Sequence, residues 1–336
     1  MTYGVSEGMM PALLGGAGPD WVFDRLPIPQ PGPGQVLVRV RAAGLNRADL
    51  YMLEGSYNAG ATKLNTFTAG LELAGEVAAV GVDVGGVEIG SRVMGTTLGA
   101  LASYALADHR HVLPIPASLG WSDAAALPVA LTTEHDALVT QAGFSAGQSV
   151  LIVGATSGVG MVGVQLAKAL GAAQVIATTT TATKAEALRA VGADVVVDTA
   201  QESLAAAVAD ATGGAGVDVT LDHVGGGLFA SLLVATKVKG TIVNIGRLAG
   251  AQSSIDLDQL SFRRLRVIGT TFSIRTSEER AAVAGALIPA VLPAVEAGRI
   301  RPVVDTVFKF DDAHAAAERL RSNQLVGKLV IEMEES

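Results

Sequence analysis

The chain has 336 residues, a length that suits two domains, each large enough to bury a core of its own. Apolar residues make up 49% and charged residues 17%, which excludes a disordered chain. A net charge of −8 without any run of Lys and Arg argues against a nucleic-acid partner.

The absence of cysteine excludes disulfides, thiolate metal sites and cysteine nucleophiles. No stretch of membrane-span length escapes interruption by a charge, glycine or proline, so no membrane partner is expected. Residues 1–10 carry Glu7 and no basic segment, unlike a secretory leader, and a cytoplasmic location is expected.

The first third reads as β structure. Residues 27–34 are rich in proline and glycine and cannot be helical. Residues 35–42 (QVLVRVRA) alternate apolar and polar, the period of a half-buried strand. Residues 73–80 and 92–94 read as further short strands between glycines, which suggests a barrel-like or sandwich-like domain. The pattern changes after Trp121. Residues 122–140 read as helix, with Ser122 as N-cap. Strands at 149–153, 174–178, 194–197, 217–222, 241–245 and 265–270 then alternate with helices at 160–170, 182–191, 203–211 and 228–236. Such alternation predicts a doubly wound parallel sheet. A last long helix is expected over 278–297. A strand at 303–310, a helix at 313–321 and a strand at 328–332 are expected to return to the first domain. The expected division is therefore 1–123 with 273–336, and 124–272.

Residues 149–170 (SVLIVGATSGVGMVGVQLAKAL) run from a buried strand through a glycine-bearing turn straight into a helix. A pyrophosphate fits there, because helix N-terminal amides point outward and the dipole favours negative charge. The segment Ala155, Thr156, Ser157, Gly158, Val159 and Gly160 is the candidate phosphate turn, although Ala155 and Ser157 replace two usual glycines. About 20 residues on, where NAD enzymes place an acid for the ribose, stand Thr178 to Thr181 and then Lys184. Hydroxyls and a cation at Thr180, Thr181 and Lys184 suit a 2′-phosphate, so the cofactor expected is NADPH.

These features, with Asn46-Arg47-Ala48-Asp49-Leu50-Tyr51, Glu54-Gly55-Ser56-Tyr57, Gly70-Leu71-Glu72-Leu73-Ala74-Gly75-Glu76-Val77, Ala126-Leu127-Pro128 and Gly327-Lys328, carry a resemblance over residues 10–332. The sequence resembles the zinc-free quinone oxidoreductase (zeta-crystallin-like) branch of the medium-chain dehydrogenase/reductases. The resemblance implies an α/β fold, with a GroES-like β-rich catalytic domain plus a Rossmann doubly wound parallel sheet. It also implies a homodimer joined through edge strands near residues 265–272. Zinc members of the superfamily have Gly-His-Glu where this chain has Gly70-Leu71-Glu72, and they use cysteines that are absent here, so no metal is expected. Without a Lewis acid, the reaction expected is hydride transfer from NADPH to an activated, conjugated carbonyl compound, a quinone before others. Two alternatives stay open: reduction of the C=C bond of an enone or enoyl compound, and a non-enzymatic role as an NADPH-binding sensor or structural protein.

The resemblance also places residues. Asn46, Tyr57 and Tyr51 match positions lining the nicotinamide pocket, and a Tyr57 hydroxyl or Asn46 amide would polarise the acceptor oxygen. The alternative is that Tyr57 packs on the cofactor and Asn46 caps a turn. Thr133 matches a threonine beside the nicotinamide. The Glu134-His135-Asp136 that follows departs from the branch: His135 either donates a proton or replaces an aromatic wall. Val224 in the Asp222-His223-Val224-Gly225 run, Gly246 and Arg247, then Phe272, Ser273 and Arg275, lie at strand ends where a ligand crevice forms. Lys328 in the Gly-Lys motif is expected to face the cofactor. His109, His111 and His314 read as surface or structural residues.

Overall fold

The computed structural model describes residues 8–16, 18–55, 57 and 66–333. They divide into two compact units. One comprises Met1–Val129, Ser273–Glu296 and Pro302–Ser336, and the other Ala130–Phe272 with Ala297–Arg301. Among the described residues no helix is long and apolar enough to cross a membrane.

The first unit opens with β1 (Met9–Gly15) and β2 (Val22–Pro27), an antiparallel pair. Then come β3 (Gln35–Leu45), α1 (Arg47–Leu53), β4 (Phe67–Thr68), β5 (Glu72–Val80), β6 (Arg92–Thr96), β7 (Tyr104–Asp108), β8 (Val112–Pro114) and α2 (Trp121–Ala125). The apolar alternation read in residues 35–42 is the core register of β3, whose Val36, Val38 and Val40 are buried with Leu73 and Val77 of β5.

The second unit begins within α3 (Pro128–His135), which continues into one π-helical turn, Asp136–Gln141. The single helix expected over 122–140 is thus three pieces, broken between α2 and α3 at Ala126-Leu127. The sheet follows as β9 (Ser149–Val153), α4 (Gly158–Ala169), β10 (Gln174–Thr179), α5 (Ala185–Ala190), β11 (Val195–Asp198), α6 (Leu204–Ala211), β12 (Val217–Asp222), α7 (Phe229–Ala235), β13 (Thr236–Asn244), α8 (Leu257–Phe262) and β14 (Arg266–Gly269). Its order is β11-β10-β9-β12-β13-β14, with every neighbouring pair parallel. This is the 3-2-1-4-5-6 order of a dinucleotide-binding sheet, whose topological switch lies between β9 and β12. Both faces are covered by helices, which is why the strands are near-continuous apolar runs.

Returning to the first unit, α9 (Ser277–Ala290) and α10 (Leu292–Glu296) replace the one long helix expected over 278–297. Pro293 is the second residue of α10, a place where a missing N–H costs nothing, so the helix restarts after Val291. Residues Ala297–Arg301 belong with the second unit, where Gln165 holds Arg301 by its side-chain carbonyl and amide, at 2.9 and 2.8 Å. The chain closes with β15 (Val304–Lys309), α11 (Ala313–Arg321) and β16 (Lys328–Glu332). The seven-stranded sheet of the first unit runs β15-β16-β3-β5-β6-β8, with β7 paired to β3. In it β16 is antiparallel to β3, which carries Lys328 back to Asn46.

Candidate active site

In the second unit the site is built at the switch point. Gly154, at φ +79°, turns the chain sharply at the end of β9, and its N–H donates to Thr178 Oγ1 at 2.9 Å. Ser157 is the N-cap of α4: its hydroxyl oxygen accepts from Gly160 N at 3.1 Å and donates to Gly154 O at 3.1 Å. Ala155 is fully buried, and Gly160 is what lets α4 sit on it, since a Cβ there would lie 2.7 Å from Ala155 Cα. These two small residues therefore serve the packing of the turn. Thr156, Ser157, Gly158 and Val159 are half-buried, and Gly158 and Val159 open a twelve-residue helix where the backbone N–H groups have no intrahelical acceptor. After β10, Thr178 and Thr179 are buried and bonded within the protein, whereas Thr180 and Thr181 are exposed and Lys184 is half-buried.

Across the switch point, Asp222 at the end of β12 accepts from Val224 N, Gly225 N and Asn244 Nδ2 at 2.9, 3.0 and 2.9 Å. The segment 222–226 is thereby laced to residues 244–250, and Gly246 N donates to Asp222 O at 3.1 Å. Val224 lies against Gly154, where a Cβ would come within 2.9 Å of Val224 Cγ2. Arg247 is exposed, and Phe272, Ser273 and Arg275 are half-buried.

On α3, Thr133 is half-buried, while Glu134, His135 and the first π-turn residue, Asp136, are buried. Asp136 accepts from Thr270 Oγ1 at 3.1 Å and Gln141 Nε2 at 3.2 Å. Burial pushes the His135 ring below its usual value, with Asp136 opposing, so the ring is held neutral. Its Nδ1 has no hydrogen-bond partner among the described residues. Glu134 Oε1 lies 2.9 Å from His223 Nε2, in ionic contact without the alignment of a hydrogen bond. Sequence reading passed over Glu134 and His223 as a pair, because 89 residues separate them.

In the first unit a second polar cluster is buried under β3. Asn46 caps α1, and its backbone N–H donates to Asp49 Oδ2 at 2.8 Å. Its side chain donates to Glu72 Oε1 at 2.8 Å and accepts from Lys328 Nζ at 2.5 Å, and Lys328 also pairs with Glu72. The other Glu72 oxygen accepts from Val129 N at 2.8 Å. Lys328 is 4% exposed and Glu72 fully buried, so each charge depends on the other for compensation. Burial raises Asp49 to about 7, against the amides of Asn46 and the cation of Lys328, with Glu72 adding to the rise. Burial likewise raises the Tyr57 phenol, with Asp49 adding and Arg280 opposing. Glu72 and Asp49 were not among the expected site residues, although both stand inside the motifs that carry the resemblance. The histidines read as structural each have a carbonyl partner: His109 with Gly34, His111 with Ser277 and His314 with Trp21.

The described residues do not fit a zinc ion. None of them form a group of three or more His, Asp or Glu able to hold a metal, and the carboxylate of Glu72 is engaged by Lys328, Asn46 and Val129.

Residues 32–117 match the alcohol dehydrogenase GroES-like domain and residues 158–286 the zinc-binding dehydrogenase family. The chain is 46% identical over 162 residues to a spectinabilin polyketide synthase system protein, NorB of Streptomyces orinoci, a match covering 48% of this chain and 7% of that protein. It is 36% identical over 146 residues to the human quinone oxidoreductase, covering 43% of this chain and 44% of the human one. The chain thus spans less than half the length of these curated relatives in its matches. A solved mycobacterial structure, complexed with NADPH, is similar throughout: 30% identity, 96% of this chain and 99% of that one, TM-score 0.84. With both domain matches, the sheet order and this full-length likeness, the chain belongs to the medium-chain dehydrogenase/reductase superfamily, in its quinone oxidoreductase branch.

Proposed function

We propose that this chain is an NADPH-dependent oxidoreductase that delivers hydride to a small conjugated carbonyl acceptor, a quinone first, without zinc. The observation that carries the reading is the capped, glycine-bearing turn between β9 and α4 at the switch point of a 3-2-1-4-5-6 parallel sheet. The NADPH complex of the mycobacterial relative and the likeness to the human quinone oxidoreductase support it.

NADPH, when bound, supplies the hydride; the chain supplies binding and charge placement. The first amides of α4, beside Thr156 and Ser157, hold the pyrophosphate. Thr180, Thr181 and Lys184 hold the 2′-phosphate, and Arg247 and Arg275 add phosphate contacts. Thr133, Val224, Gly246, Phe272 and Ser273 line the nicotinamide. His135, buried and neutral, is assigned to the wall. Asn46 has its amide committed to Glu72 and Lys328, so the polarising hydrogen bond to the acceptor oxygen falls to Tyr57. A phenol raised by burial keeps its proton and remains a donor across the working range of pH. Quinone plus hydride plus one solvent proton gives the hydroquinone. A homodimer is proposed through the outer edge of β14, a strand that ends the parallel sheet.

Isothermal calorimetry with NADPH and NADH tests the cofactor, and NADPH oxidation against quinones, enones and enoyl thioesters tests the acceptor. Turnover confined to enones or thioesters would replace the quinone reading with C=C reduction. Tight NADPH binding without any turnover would replace it with a non-enzymatic role. Light scattering reads the oligomer.

A further inference from the structure

Glu134 and His223 are both departures in polarity from their surroundings: a carboxylate and an imidazole buried among helix and strand ends of the second unit. Each is the immediate neighbour of a residue assigned to the nicotinamide wall. Glu134 follows Thr133 on α3, and His223 precedes Val224 after β12. Their side chains meet at 2.9 Å.

A carboxylate buried this deeply is costly unless a cation faces it, so the pair is stable only when it keeps one proton between its members. The ionisable groups acting on His223 are Glu134 from α3 and Asp222 from its own strand. Burial, the largest influence, lowers the ring, but the contact with Glu134 and the charge of Asp222 together outweigh it, so the His223 ring is raised above its usual value. Space for the carboxylate is provided by α4: at Gly163 a Cβ would collide with Glu134 Oε2. On the other side, Gly246 leaves room for the backbone of His223 in the same way. The contact thus touches three elements of the dinucleotide site at once, namely α3, α4 and the segment after β12.

We propose that the Glu134–His223 ion pair is a positioning device that sets the spacing of Thr133 and Val224, and through them the seating of the nicotinamide ring, while leaving the adenosine end of the cofactor untouched. Glu134 and His223 are positioning residues. The proposal rests on the NADPH reading above.

The test compares the parent with Glu134→Gln, nearly unchanged in volume, and with Gly163→Ala, which keeps both charges but pushes the carboxylate away. Three quantities are read: thermal melting, affinity for 2′-phospho-ADP-ribose (which lacks nicotinamide), and the fluorescence lifetime of bound NADPH, which reports the ring alone. Folded variants are expected to bind 2′-phospho-ADP-ribose as the parent does, with the nicotinamide lifetime falling back toward that of free NADPH. In the parent the lifetime should fall as pH rises through the raised His223 value, and in Glu134→Gln, where no pair is left to break, it should already be short and that pH-dependent fall should be absent. A folded variant of either kind with the parent's lifetime and pH profile overturns the positioning role. A parent that binds neither NADPH nor the fragment overturns the dinucleotide reading itself, a distinguishable result. Should Glu134→Gln fail to fold, the Gly163→Ala lifetime decides.

Discussion

The carboxylate of Glu72 lies against Gly44 in such a way that a Cβ on Gly44 would come 2.6 Å from Glu72 Oε1 and 2.5 Å from the carbonyl of Ala125. Glycine at this point of β3 is thus a condition for the buried Glu72–Lys328 pair. Gly44→Ala is expected to destabilise the protein by about 3 kcal/mol, from overpacking together with a disturbed ion pair. Denaturant unfolding checks this, and an unchanged midpoint would mean that the cluster has room to shift.

Removing the cation should be worse than removing the pair. Lys328→Met leaves Glu72 buried without compensation and should cost roughly 3–5 kcal/mol, while Lys328→Met with Glu72→Gln should recover most of the loss. A double variant as unstable as the single one would show that the ammonium holds something other than Glu72.

Asp49 gives a pH dependence of defined sign. Its folded value of about 7 lies above its ordinary 3.8, so between those values the folded chain binds the extra proton and stability falls as pH rises. The full penalty, present above pH 7, is roughly 4 kcal/mol. Asp49→Asn keeps an acceptor for the Asn46 N–H and should therefore melt higher than the parent at pH 8, with the advantage vanishing toward pH 4. A melting difference that does not change with pH would mean that Asp49 is ionised throughout.

These clusters also mark where the sequence was readable. The β9–turn–α4 unit and the alternating strands were legible because their signals are local: a buried run, glycines, and a capping serine within a dozen residues. So was β16, whose five residues stand alone as an apolar strand. The ion pairs were not, because Lys328 meets Glu72 from far along the chain, and a glutamate in a helical stretch reads as a solvated face until its partner is known. The helix over 278–297 is two helices in the structure, because the chain breaks at Val291 ahead of Pro293, while Pro289 is accommodated inside the last turn of α9. Part of the Glu54-Gly55-Ser56-Tyr57 motif, Ser56, falls outside the described residues.

Tyr57→Phe separates the hydroxyl from the ring. If the phenol polarises the acceptor oxygen, kcat should fall about 100-fold with NADPH affinity unchanged. Steady-state kinetics with the best quinone of the panel checks this, and a variant with the parent's kcat would leave Tyr57 a wall.

Lys184→Ala addresses the choice of dinucleotide. Loss of one charge-assisted contact to the 2′-phosphate should weaken NADPH about tenfold and leave NADH as it was. Equal weakening of both would place Lys184 in the fold and not on the phosphate.

The π-helical turn at Asp136–Gln141 has a consequence for how this site tolerates change in chain length. Such a turn holds one residue more than an α-turn spanning the same height, and here it is pinned by Asp136 to Gln141 and Thr270. Deleting a single residue from it would let the helix close into ordinary α geometry without a gap. The α-helical residues ahead of it would then keep their bearing, whereas a deletion within α3 itself would turn everything ahead of the cut by about 100° and swing Thr133 away. The surplus residue is thus slack that the helix can lose while Thr133 stays half-buried and Glu134 and His135 stay turned into the core.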